Sequence, residues 1–238
     1  MKSTLYDANT RGAFDMGWLK THYSFSFSNY YEPTRMHFGM LRVLNDDIIE
    51  ADQGFGTHPH NDMEIITIPL SGELTHRDSM GHEATLGVGR IQVMSAGTGL
   101  THSEYNASKD THLSLLQIWI FPERRGVEPR YDEADISALS HNQFHNIVGP
   151  RNGDAAVFIN QDAWLALGRI DAGYAASYAL HTSDHGAFVF VIEGTVTVNG
   201  AHRGTRDAIG IVEADSIVVR STTDAYVLII EVPMVPAA

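Results

Sequence analysis

The sequence predicts an all-β protein made of two similar β-barrels in tandem. Short apolar runs rich in Val, Ile, Thr and aromatic residues are separated by Gly, Asp, Asn and Ser, as in "MEIITIPLSGELTHRD", "HLSLLQIWIFP" and "GAFVFVIEGTVTVNG". Such runs, bounded by turn residues, indicate many short antiparallel strands packed as a sandwich or barrel. Long amphipathic helices are not evident, and the best helical candidates are Asp132–Ser140 and the segment Asn9–Lys20.

A weak internal repeat predicts that the barrels are two. Ile68–His76 reads "IPLSGELTH" and Val191–Gly200 reads "VIEGTVTVNG", each a strand, a turn with glycine and a returning strand. The polar, proline-bearing segment Phe121–Gln143 lies between these halves. We therefore expect one domain over residues 1–135 and a related domain over residues 136–238.

The composition of the chain argues against several classes of function. The chain has 238 residues and a formal net charge of −13, and its 16 Lys and Arg form no cluster, which argues against direct binding of nucleic acid. Neither a secretory signal nor an apolar run of roughly 18 residues is visible, so we expect a cytoplasmic protein that does not enter membranes. Because the chain has no cysteine, a metal ion would need His, Asp or Glu ligands.

Two segments with histidine contain the candidate metal ligands. His58 and His60 flank Pro59, and residues two apart in a strand point to the same face. Alone, this pair is a weak signal, and two solvated imidazoles are a more common explanation of it than a metal site. His102 and Glu104 repeat the same spacing in "GLTHSEYN". If the two strands lie side by side, three imidazoles and one carboxylate come close enough together to bind one metal ion.

That ligand set suits Fe(II), Mn(II), Ni(II), Cu(II) or Zn(II), and ligand type does not separate these ions. About two positions would stay open on a six-coordinate ion, enough for a substrate and O₂. The second half offers no equivalent set: Asp215–Thr222, which the repeat aligns with the His102 strand, is aliphatic. His181 and His185 are about 13 Å apart on an extended strand, and we interpret them as ordinary loop histidines.

The motifs resemble those of the cupin superfamily. "HPHNDMEIITIPLSG" is similar to its first sequence block and "GRIQVMSAGTGLTHSEYN" to its second. Ser95 stands where proline is usual, and two extra residues separate Gly97 from His102. Glu64 is also displaced from the usual spacing, so we expect it to accept hydrogen bonds and not to bind metal. With "GWLKTHYSFSFSNYYEP", these departures resemble the bacterial type of pirin, most densely over residues 10–131.

The resemblance implies a bicupin, with two jelly-roll-like barrels and one metal ion in the first. It implies His58, His60, His102 and Glu104 as ligands, with iron favoured over Mn, Ni, Cu or Zn. It further implies quercetin 2,3-dioxygenase activity on a flavonol-like substrate with O₂, in which Glu104 serves as the base. Two alternatives stay open. One is a redox-sensitive module that binds a protein partner, and the other is a different metalloenzyme on the same scaffold.

Overall fold

The computed structural model describes residues 1–235, and almost all of their regular structure is β. The only helical element in this range is a single 3₁₀ turn at Ala8–Thr10. The strands of the first half are β1 (Lys2–Tyr6), β2 (Gly12–Asp15), β3 (Leu19–Tyr23), β4 (Leu41–Ile49), β5 (Gly54–His60), β6 (Glu64–Ser71), β7 (Glu73–Asp78), β8 (Glu83–Gly87), β9 (Arg90–Ser95), β10 (Leu100–Asn106), β11 (Leu113–Ile120) and β12 (Arg130–Asp135). Those of the second half are β13 (His145–Pro150), β14 (Val157–Ile159), β15 (Trp164–Ile170), β16 (Ala175–Ala179), β17 (His185–Glu193), β18 (Val196–Val198), β19 (Ala201–Arg203), β20 (Ala208–Val212), β21 (Ser216–Ser221) and β22 (Ala225–Pro233).

The sheets confirm the predicted all-β class and its internal repeat. The first half has a seven-stranded sheet, β12-β9-β6-β11-β4-β3-β2, and a four-stranded sheet, β5-β10-β7-β8. The second half has β1-β20-β17-β22-β15-β13-β14 and β16-β21-β18-β19. The matching strands follow the same order except at one edge of the large sheet, where β14 runs parallel to β13 but β2 runs antiparallel to β3. Gly72 and Gly194, at the matching hairpin turns, have φ of +75° and +91°, a region that favours glycine. The aliphatic strand β21 occupies the place of β10, as the repeat predicts.

The larger sheets are buried on both faces. On one face, residues such as Ile66 and Ile118 pack against Phe188 and Ile230 of the other half, which makes a continuous core between the barrels. On the opposite face, each large sheet covers its own four-stranded sheet. Double-sided burial explains why these strands read as nearly continuous apolar runs.

The first strand crosses between the halves. β1 pairs antiparallel with β20, with Lys2 opposite Val212 and Tyr6 opposite Ala208. It therefore covers the edge of the second large sheet, as β12 covers the edge of the first. The division at residues 135 and 136 stays a prediction, and β1 belongs to the second barrel by pairing.

The helices predicted at Asp132–Ser140 and Asn9–Lys20 are wrong. The second segment holds the end of the 3₁₀ turn, β2 and the start of β3. Residues up to Asp135 continue β12, which pairs with β9 from Arg130 opposite Ser95 to Asp135 opposite Arg90. Its acidic residues suit an edge strand with one face toward water, and the exposed hydrogen-bonding edge of β9 overrides local helical preference. No helix among residues 1–235 has the length and apolar character needed to cross a membrane.

Candidate metal centre

The four predicted ligands lie on two paired strands of the first barrel. His58 and His60 are on β5 and His102 and Glu104 on β10, and the strands run antiparallel with His102 directly opposite His58. The predicted pairing of these segments is therefore confirmed. The register shifts between His102 and Glu104, where two steps along β10 face three along β5, so the bulge lies in β5 between Phe55 and His58. Such a bulge re-aims the side chains beside it.

Three of the four side chains form an imidazole cluster, defined here as His58, His60 and His102. One ring nitrogen of each lies within 4.8 Å of the others. His58 donates a hydrogen bond from Nδ1 to the carbonyl of Gly56 at 2.8 Å, which leaves its Nε2 free as a ligand. An outer hydrogen bond of this kind orients a metal-binding histidine.

His102 provides the test of fit for a metal ion. It is 2% exposed, and neither of its ring nitrogens has a hydrogen-bond partner among residues 1–235. A buried polar atom without a partner costs free energy unless something else binds it. Burial and the neighbouring imidazoles lower the pKa of His102 to about 2, and burial lowers that of His60 to about 4. Both rings are therefore neutral at pH 7, the form that binds divalent metal ions.

Glu104 lies deeper, among amide donors. It is 3% exposed and accepts hydrogen bonds from Nε2 of Gln92 at 2.8 Å and from Nε2 of Gln117 at 2.9 Å. Burial raises its pKa to about 7, against the effect of these bonds and that of Thr67. Its carboxylate forms a second close group with His102 and His76, all within 4.8 Å. His102 is thus common to both groups.

His76 is a neighbour of the site that the sequence did not assign. It lies on β7 opposite Glu104 of β10, is fully buried, and its ring centroid is 5.4 Å from that of His102. Asp78, at the end of β7, accepts backbone hydrogen bonds from Met80 and His82. It also accepts a long hydrogen bond from Nε2 of His76, at 3.4 Å.

The imidazole cluster opens into a cavity of about 200 Å³ between the two sheets of the first barrel. Its apolar lining comes from Phe27, Phe55, Ile65 and Trp119. Its polar lining, apart from the predicted ligands, comes from Asn45, Asp47 and Gln117. These three polar residues lie on β4 and β11, which are largely apolar strands. Polar residues at buried positions of such strands were the sequence feature that could have indicated a cavity wall here.

Glu64 points away from this cavity. Its neighbour Ile65 lines the cavity, so the alternation of β6 turns Glu64 toward the second barrel. There it accepts hydrogen bonds from Ser95 at 2.7 Å and from Asn160 at 3.2 Å. Glu64 is a buried acceptor between the barrels, as its displaced spacing suggested.

The two histidines of the second half are not ordinary loop residues. Both hydrogen-bond through Nδ1 to the buried carboxylate of Glu231, His181 at 2.8 Å and His185 at 3.1 Å, and Tyr178 donates to it at 2.7 Å. His185 begins β17 and is 2% exposed. Glu231 is 50 residues from His181 and 46 from His185 in sequence, so the contact could not be inferred from local spacing. The two groups of metal-binding geometry found in residues 1–235 both lie in the first barrel.

Together, the repeated barrel and the imidazole cluster in one of its two copies define a bicupin with a site for a divalent metal ion in its first barrel. The pirin family model matches residues 6–120, and the model described as "Quercetinase C-terminal cupin domain" matches residues 146–232. The chain is 41% identical over 231 residues to quercetin 2,3-dioxygenase of Escherichia coli K12, covering 97% of this chain and 99% of that protein.

Two solved structures agree with this. The crystal structure of YhhW from Escherichia coli is 39% identical, has a TM-score of 0.94 and covers 100% of both chains. The structure of the bacterial pirin YhhW in complex with nickel(II) has a TM-score of 0.93, is 39% identical, and covers 98% of this chain and 100% of its own. The present chain belongs to the pirin family.

Proposed function

We propose that this protein is a metal-dependent dioxygenase that cleaves a flavonol or a related enolisable hydroxyketone with O₂. The main observation in support of this proposal is the imidazole cluster at the end of a largely apolar cavity. The relative named quercetin 2,3-dioxygenase and the nickel complex of YhhW support the proposal. We propose Fe(II) as the resident ion, with Mn(II), Ni(II), Cu(II) and Zn(II) as alternatives that the same ligands accept.

The ion would be held by His58, His60, His102 and Glu104. When bound, it supplies Lewis acidity that favours the ionised form of a substrate hydroxyl and a redox-capable centre for O₂. The neutral imidazoles leave the positive charge of the ion largely uncompensated, which strengthens that effect. His58 is held in place by the carbonyl of Gly56, and Glu104 by two amide side chains.

The other residues around the cavity bind the substrate and exclude water. Trp119 packs edge-on against His60 with ring centroids 5.0 Å apart, and Phe27 packs against Trp119 at 5.3 Å. The ring centroids of Phe55 and His58 lie 6.4 Å apart. These rings offer flat apolar walls to a planar substrate. We propose that the carboxylate of Glu104 receives the proton of the reacting hydroxyl.

Oxygen uptake tests the proposal. Metal-free protein would be loaded with Fe(II) under anaerobic conditions, its metal content measured, and O₂ consumption followed after addition of quercetin. We expect turnover in the unaltered protein and a loss of at least about 100-fold in His58→Ala and Glu104→Ala, because ligand loss weakens metal binding more than outer-residue changes do. His112→Ala, which changes an exposed histidine, is the matched control.

Protein that holds one ion per chain and consumes no O₂ with quercetin or another flavonol would contradict this function. The hypothesis of a redox-sensitive binding module would then take its place. That hypothesis would be tested by a pull-down experiment, in which recovery of a protein partner should depend on the oxidation state of the bound ion.

A further inference from the structure

The wall of the cavity formed by β4 and β11 carries polar atoms that the fold leaves without partners. Asn45 and Asp47 are each 5% exposed, and both line the cavity. Oδ1 of Asn45, Oδ1 of Asp47 and Nε1 of Trp119 have no hydrogen-bond partner among residues 1–235. Native interiors pair roughly nine in ten such groups. Three exceptions around one cavity therefore point to a ligand as their partner.

Their placement makes them one surface. Asn45 and Asp47 are two residues apart on β4, so their side chains share the face that looks into the barrel. Gln117 is opposite Asn45 in register, but its amide already donates to Glu104 at 2.9 Å, and its carbonyl accepts from Thr67 at 3.2 Å. The unpaired atoms belong to the residues that have no role in holding Glu104.

The imidazole cluster lies on the facing four-stranded sheet, on β5 and β10. A ligand in this cavity would therefore meet both the metal ligands of β5 and β10 and the polar atoms of β4 and β11. Between them stand Phe27, Phe55 and Ile65, which are suited to the faces of a flat ring. The cavity encloses about 200 Å³, below the roughly 300–1,000 Å³ typical of pockets for drug-sized ligands.

We propose that Asn45, Asp47 and Trp119 form a polar subsite beside the metal centre that binds ring hydroxyl groups of the substrate other than the one at the metal ion. The two Oδ1 atoms accept hydrogen bonds from hydroxyl groups, and the indole N–H donates one to a hydroxyl oxygen. The subsite selects small planar substrates, or one end of a larger flavonol, that carry hydroxyl groups on a second edge. This inference rests on the proposed function and adds its substrate preference.

Ligand binding without turnover tests the subsite. Protein loaded with Ni(II) and kept anaerobic would be titrated with quercetin and with 3-hydroxyflavone, using calorimetry to measure each Kd. The two ligands share the 3-hydroxy-4-ketone, and 3-hydroxyflavone lacks the other ring hydroxyls. We expect the unaltered protein to bind quercetin at least about tenfold more tightly, since buried polar atoms left unpaired discriminate against the analogue that lacks the hydroxyls.

The variants Asn45→Leu and Asp47→Leu remove the acceptors at similar side-chain volume. We expect the ratio of the two Kd values to fall to within about twofold, while the Kd of 3-hydroxyflavone changes by less than about threefold. Asn152→Leu, at an exposed position, is the matched control and should keep the ratio. Nickel content and circular dichroism would verify the fold of each variant.

Trp119→Phe keeps an aromatic ring and removes only the N–H donor, so it decides the question if the leucine variants do not fold. We expect its Kd ratio to fall about threefold. Equal affinity of the unaltered protein for both ligands, or a ratio that no variant changes, would overturn the subsite and leave the proposed function standing. If the nickel-loaded protein bound neither flavonol, the subsite and the proposed function would both fail.

Discussion

Gln117 donates a hydrogen bond from Nε2 to Oε2 of Glu104 at 2.9 Å, across the interior of the first barrel. Gln92 donates to the other carboxylate oxygen at 2.8 Å. Glu104 is therefore held at both oxygens by side chains from β11 and β9, outside the strand that carries it. A carboxylate fixed in this way meets an incoming ion with less loss of conformational freedom.

Loss of the Gln117 amide should weaken metal binding. We expect Gln117→Leu to lower the affinity for Ni(II) by about 10–100-fold, the range for residues that orient metal ligands. Competition with a chelator of known affinity at pH 7 would measure this. Gln53→Leu, at an exposed position, should leave the affinity unchanged. Equal affinities in the two variants would show that Gln117 does not orient Glu104.

The buried ion pair between the halves should matter for stability. Asp46 on β4 contacts Arg11 at 3.2 Å and Arg206 of the second half at 2.9 Å, with 9% of its side chain exposed. We expect Asp46→Ala to lower the free energy of unfolding by about 3–5 kcal/mol, because it leaves buried charge unpaired. Urea denaturation would measure the loss.

The matched control for that variant is Glu83→Ala. It breaks the exposed pair of Arg77 and Glu83, whose side chains are 66% and 61% exposed. Its effect should stay below about 1 kcal/mol. Similar losses in the two variants would argue against a special role for the pair at the interface.

Asp47 should make the metal-free protein less stable as the pH rises. Burial raises its pKa from 3.8 to about 7, so between these values the folded state holds a proton that the unfolded state has released. Stability therefore falls with pH across this window and levels off above it. Asp47→Asn should remove a penalty on the order of 1–4 kcal/mol at pH 8 and change little below pH 4. Urea denaturation of chelator-treated protein at several pH values would measure it, and a benefit independent of pH would contradict it.

Glu231, in the second barrel, should make the protein more stable as the pH rises, the opposite of the effect of Asp47. Burial alone would raise its pKa, but hydrogen bonds from His185, His181 and Tyr178 lower it below 4.5. Its contribution to stability is thus present above the unfolded value and is lost as the pH falls through the folded one. We expect Glu231→Gln to lower the denaturation midpoint at pH 7 more than at pH 3.

Nickel binding serves as the internal control for Glu231→Gln. Both groups with metal-binding geometry in residues 1–235 lie in the first barrel, so the stoichiometry of bound ion should not change. A variant that loses nickel while keeping its denaturation midpoint would contradict the assignment of Glu231 to the second barrel alone.

The sequence by itself determined the all-β class, the two-barrel repeat and the four candidate ligands. Alternation of side chains along a strand is a local property, so His58 with His60, and His102 with Glu104, could be placed on shared faces without knowing the fold. The family resemblance rested on the same short segments. These predictions depend on residues close together in the chain.

Tertiary structure decided what depends on pairing between distant strands. Register placed His76 opposite Glu104, turned Glu64 toward the second barrel, and brought Asn45 and Asp47 to the cavity wall. It also made an edge strand of the segment at Asp132 that had been expected to be helical. A shift of one residue in register exchanges the two faces of a strand, and only closure of the whole barrel fixes that choice.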